Sequence, residues 1–150
     1  MDDLYFFLIE RHLEPMLEIV TTLGDSLANR RPGLAGANSP YQLVVHCCGM
    51  LEWWSREAIL GEPVGRDRAA EFVATGSVED LRARVEQVSQ QLRADLARTD
   101  LDAPLRGDPA DYAGTPIGAT ARGALLHALE EFAQHHGHLE ITRDALLATG

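Results

Sequence analysis

Apolar residues recur at helical spacing in four stretches of the chain, separated by polar connections rich in glycine and proline, and no stretch alternates with the period of a strand. The first stretch covers 2–28, where Leu4, Phe7, Leu8, Leu13, Leu17, Val20 and Leu23 mark one face and Asp2 or Asp3 stands where a cap belongs. Pro15 removes a backbone donor and predicts a kink there or a delayed helix start. After a breaker-rich loop over 29–38, Ser39-Pro40 combines a capping hydroxyl with proline at the first helical position. The helix it opens runs to about Leu60, with Gly61 placed to end it. A connection over 61–77 follows, longer than the roughly 12–15 residues above which structureless loops are uncommon, and such connections are often functional or cross from one end of a bundle to the other.

Ser77 opens a third helix over 78–98, with Asp80 where a capping box usually has glutamate or glutamine. Its core stripe is Leu81, Val85, Val88, Leu92 and Leu96, and its other face reads as a solvated surface. A polar loop leads to Thr115-Pro116, a second cap-and-proline start, and a fourth helix over about 117–147 whose first turn is loosened by Gly118 and Gly123. Leu125, Leu129, Phe132 and Leu139 form its apolar stripe, while the neighbouring stripe of Ala128, Glu131, His135 and Thr142 is polar in its middle. Gly137 leaves room there for the close approach of another helix or a ligand. The expected fold is all-α: a single domain, 1–150, forming a four-helix bundle of antiparallel type with long connections.

Composition narrows the function classes. The net charge of -10 argues against a nucleic-acid partner, which demands a basic surface, and against an acidic membrane surface. No apolar run reaches the length of a membrane span. The acidic start Met1-Asp2-Asp3 lacks the basic region of a signal peptide, and the adjacent Cys47 and Cys48 offer no disulfide framework, so the expected location is the cytoplasm.

The candidate chemistry lies on two of the helices. Between 127 and 138 the fourth carries four histidines and two glutamates. His127, Glu131 and His135 stack one turn apart, and His138 follows three residues later. On the second helix His46 interrupts the apolar run Leu43-Val44-Val45, where an imidazole is costly without a partner. Imidazole and carboxylate together suit zinc, nickel, iron or manganese. His46 with Glu131 and His135 would give three protein ligands and an open position, the pattern of a catalytic metal. The competing reading is a buried polar network satisfied without metal. His127 and His138 read as groups behind the ligands or as pocket walls, with His138 an alternative fourth ligand. His136 faces elsewhere, and His12 reads as a partly exposed or hydrogen-bonded histidine. Trp53 and Trp54 are packing residues, and Trp53, on one face with His46, Gly49 and Met50, can also line a substrate pocket. Cys47 reads as an inert buried hydrophobe before it reads as a nucleophile.

Asn38-Ser39-Pro40 with His46 and Glu52-Trp53-Trp54, together with Glu131-Phe-Ala-Gln-His135-His136-Gly137-His138, resemble the DinB-like superfamily of four-helix-bundle metalloproteins over nearly the whole chain. The Glu-x3-His on the last helix is most similar to the branch containing mycothiol-dependent maleylpyruvate isomerase and related thiol transferases. The resemblance implies His46, Glu131 and His135 as the metal positions, zinc as the leading metal with nickel as an alternative, and a homodimer. It also implies a small-molecule thiol such as mycothiol, acting on an electrophile by transfer or isomerisation, with a metal-dependent hydrolase as a variant. The sequence ends shortly after the helix carrying Glu131 and His135, so the resemblance is not expected to extend to the additional C-terminal domain of the isomerase. A non-catalytic metal- or ligand-binding stress-response protein, and a purely structural bundle, stand as the alternatives.

Overall fold

Ser39 begins the helix on which the site is built. Its hydroxyl accepts from the Gln42 backbone N–H at 3.2 Å, and the Gln42 side chain accepts from the Ser39 N–H at 3.0 Å. With Pro40 at the first position, this buried capping box fixes the entry of α2, Pro40–Glu52. The helix continues as a π-helical segment, Trp53–Ile59, and ends where Gly61 takes φ +71°. The computed structural model describes residues 2–148, with side chains from Leu4 onward. Along them lie α1 (Asp2–Ala28), α2, α3 (Arg68–Glu71), α4 (Val78–Leu96), a 3-10 turn (Ala110–Tyr112), α5 (Pro116–Ala119) and α6 (Ala121–Ala148). Among the described residues there is no strand. The capping expected of Asp2 or Asp3 falls on side chains outside them.

Three sequence expectations change in detail. The helix starts before Pro15 and keeps helical backbone angles through it, so the delayed start does not occur; the interruption lies at Gly24, whose φ of 69° and ψ of 170° leave the helical region. Proline removes one hydrogen bond but keeps a helical φ, whereas glycine can take a positive φ without steric cost. The fourth helix does not begin with a loose turn: α5 is capped by Thr115, extended backbone at Thr120 separates it from α6, and the long helix starts at Ala121. The core face of α1 is rotated from the expected one. Tyr5, Ile9, Leu13, Met16 and Val20 are buried, whereas Leu4 and Phe7 are 53% and 56% exposed.

Four long helices form the bundle, with α1 beside α4 and α6, and α2 beside the same two. Side-chain pairs fix their directions. His46 meets His135 while Trp54 meets His127, so α2 and α6 are antiparallel. Thr21 meets Arg82 while Phe6 meets Arg93, so α1 and α4 are antiparallel. Glu52 meets Arg84 while Ser55 meets Asp95, so α2 and α4 run parallel. His12 meets His136 while Arg30 reaches the Leu146 carbonyl, so α1 and α6 run parallel. The bundle is therefore mixed rather than uniformly antiparallel. Parallel α2 and α4 require the chain to travel back along the bundle between them, and residues 60–77 do this, carrying α3 past the middle of α2. The core joins Ile9, Leu13 and Met16 of α1, Leu43, Cys47 and Leu51 of α2, Leu81, Val88 and Leu92 of α4, and Leu125, Phe132 and Leu139 of α6.

Candidate metal centre

His46 lies in the middle of α2, almost fully buried, and faces α6. Its ring packs at 4.8 Å on the ring of His135, edge to face, and at 4.8 Å on that of Phe72 from the crossover. On α6, Glu131 and His135 are one turn apart, with Glu131 Oε2 3.5 Å from His135 Nε2. His46, Glu131 and His135 each offer one ligand atom, and these atoms all lie within 4.8 Å of one another. Ligand atoms on a tetrahedral zinc ion stand roughly 3.3–3.5 Å apart, given bonds of about 2.0–2.1 Å. A small inward adjustment of side chains would be needed to close the triad on an ion, and the two-imidazole, one-carboxylate donor set is of a kind that suits zinc or nickel. Burial, and then the neighbouring His46, push the His135 pKa below its ordinary value, which keeps its lone pair available.

Two residues that sequence reasoning passed over stand behind His46. Glu71, at the end of α3, places Oε2 2.8 Å from His46 Nδ1. Arg66 grips the same carboxylate with both edges, Nε to Oε1 at 2.6 Å and Nη2 to Oε2 at 2.9 Å. Burial works to raise the Glu71 carboxyl, but the hydrogen bonds from His46 and Arg66 outweigh it and hold the pKa below the usual carboxylate value. The close approach depends on Gly49, one turn after His46: a Cβ there would overlap Glu71 Oε1.

A cleft of about 480 Å3 opens on His46 and Glu131. His127, Trp53 and Trp54 line it, as does Tyr112 from the 3-10 turn. The His127 ring lies 4.5 Å from that of Tyr112 and 5.4 Å from that of Trp54, and its Nδ1 is 3.2 Å from Glu130 Oε2. Arg68 stands at the rim over the Phe72 ring. His138 is exposed, its ring 6.3 Å from that of His135, and it does not line this cleft. His136 turns to α1, where its Nδ1 is 3.1 Å from that of His12. A Cβ at Gly137 would meet open space, so the close approach expected there does not occur. Cys47 and Cys48 are fully buried. Burial pushes the Cys48 thiol up to about 12 and raises Cys47 well above its ordinary value, which keeps both in the poorly nucleophilic thiol form.

The signal for Glu71 and Arg66 was indirect. A glycine on the His46 face of α2 and a connection too long for a simple turn both pointed to something packing there, but not to which residue. Tyr112 lies in a polar loop with no periodicity to mark it.

A family model described as Mycothiol-S-transferase matches residues 6–148 of the chain. No curated protein and no solved structure matches it.

Proposed function

Because the chain belongs to the Mycothiol-S-transferase family, within the DinB-like superfamily, we propose that it is a divalent-metal-dependent transferase that uses a low-molecular-weight thiol, mycothiol being the first candidate. The observation that carries this reading is the convergence of His46 from α2 with Glu131 and His135 from α6 beside an open cleft. In this reading these three side chains hold the ion, zinc or nickel by their chemistry. Such an ion lowers the pKa of a thiol brought against it.

The remaining residues handle the organic partners. Trp53, Trp54 and Tyr112 offer apolar and aromatic surface to the thiol and to the electrophile. His127 takes the thiol proton. Its Nδ1 is engaged by Glu130, which leaves Nε2, 3.9 Å from Glu131 Oε1, with the lone pair. The thiolate sulfur then attacks the electrophilic carbon and forms a C–S bond. The electron pair passes to a departing group or, in addition to an unsaturated acid, to the adjacent carbon, which His127 reprotonates. The chain's own cysteines take no part.

The test is turnover of a chromogenic electrophile with and without added low-molecular-weight thiol. The proposal expects turnover that requires the thiol, is lost on chelation and returns with zinc or nickel, and is absent in His46→Ala. Metal binding with no thiol binding and no turnover would favour the non-catalytic reading.

A further inference from the structure

Glu71 is a buried carboxylate 25 residues away in sequence from the histidine it touches, on a segment outside the four long helices. Its arrangement is specific at every point. Arg66 makes a two-point contact with it, which keeps it ionised and fixes the plane of its carboxylate. An ionised carboxylate only accepts hydrogen bonds, so the 2.8 Å contact calls for the proton on His46 Nδ1; Arg66 Nη2 also lies 3.3 Å from that nitrogen, but its shorter hydrogen bond, 2.9 Å, goes to Glu71 Oε2. In the neutral ring Nε2 is then the nitrogen that carries the lone pair. Phe72 packs against the His46 ring, and Gly49 makes room for the Glu71 carboxylate against α2.

We propose that Glu71, held by Arg66, is a positioning residue for a divalent cation: it sets the tautomer and orientation of His46 so that Nε2 faces Glu131 and His135. This rests on the metal reading above and extends it from the bundle to the crossover. Residues 66–71 then form a working part of the centre rather than a tether between helices. Groups that receive the Nδ1–H of a ligating histidine fix its ring and raise its basicity, and their removal costs about 10–100-fold in metal affinity.

The test compares wild type, Glu71→Gln, Glu71→Ala and His46→Ala in two measurements. The first is zinc affinity by competition with a chromogenic chelator. The second is the protonated nitrogen of His46, read by 15N NMR of the metal-free protein. The proposal expects about 10–100-fold weaker zinc binding in Glu71→Ala, with a stoichiometry of one retained, and partial rescue in Glu71→Gln, whose amide oxygen still accepts from Nδ1. It also expects an Nδ1–H tautomer in wild type that becomes a mixture in Glu71→Ala. If Glu71→Ala does not fold, Glu71→Gln still decides, because its size is conserved and only its charge is lost. Unchanged zinc affinity in the Glu71 variants, with binding abolished in His46→Ala, overturns the positioning role and leaves the metal reading standing. Wild-type protein that takes up no zinc, or His46→Ala that binds as wild type does, overturns both.

Discussion

A single imidazole at position 46 answers two demands: its Nδ1 meets a buried carboxylate, and the ring stands in one cluster with a second histidine and a glutamate. The residues that meet the second demand were legible in the sequence. A histidine inside an apolar helical run is costly alone, and Glu131 with His135 at a spacing of four supplies its natural complement. The residues that meet the first were not, because Arg66 and Glu71 lie in a long connection without helical periodicity, where nothing marks which charged residue the fold lays on α2. Acid sensitivity follows from the titrating groups. Burial, with a neighbouring histidine, lowers His135 and His12, so each binds its proton less readily folded than unfolded. Their stabilising contribution is present above the unfolded value of about 6.5 and is lost as pH falls through the lower folded values. Glu71, lowered from its ordinary carboxylate value, adds a second loss below about 4.5. Glu10, raised chiefly by burial, works in the opposite sense as pH falls through its folded value, so the histidines set the trend only above that range. Melting curves of metal-free protein should therefore show a falling Tm from about pH 7 to pH 5, and a flat or rising Tm there would contradict these assignments. Buried, with raised pKa values, Cys47 and Cys48 should resist thiol reagents in the native protein and react only on unfolding. Rapid native labelling would show that the core around α2 opens.

At the scale of elements, the caps were the most readable features. Ser39-Pro40 and Ser77 start their helices as their chemistry dictates, and Ser77 Oγ accepts from the Asp80 N–H at 3.0 Å. Asp80 departs from the usual box by accepting from the Ser77 hydroxyl itself. Ser39→Ala should destabilise the protein by about 1 kcal/mol in urea unfolding, since it removes a buried cap. An effect below a few tenths would mean that proline alone sets the helix start. The π-helical segment was not readable, because no residue type encodes it. Tertiary contacts accompany it: Ser55 bonds the buried Asp95, and the Ala58 carbonyl accepts from the Gly107 N–H at 2.9 Å. Gly49→Ala is the sharpest probe of how the crossover meets α2. The new methyl collides with the Glu71 carboxylate, and the expected cost is roughly 1–3 kcal/mol in urea unfolding, with weaker zinc binding alongside. Unchanged stability and affinity would show that α3 can move away freely.

For the whole molecule, periodicity gave the number of long helices but not their directions, which depend on which faces meet. The parallel pairing of α2 with α4 is what forces a long return path. The twenty residues of α2 and its π extension span up to roughly 30 Å at about 1.5 Å per residue, too far for a short loop to retrace. The path passes His46, so the same topology that orders the bundle delivers Glu71 to the site. No described helix is long and apolar enough to cross a membrane. A ligand that binds only the folded state also stabilises it, so zinc at 100 times its Kd should add about 2.7 kcal/mol of stability and chelation should remove it. The most direct measurement is calorimetric titration of chelator-stripped protein with zinc, run beside His46→Ala, Glu131→Ala and His135→Ala. The account predicts one site per chain in the wild type and severe loss of binding in each variant. Wild-type binding that survives all three substitutions, or no binding at all, would contradict it.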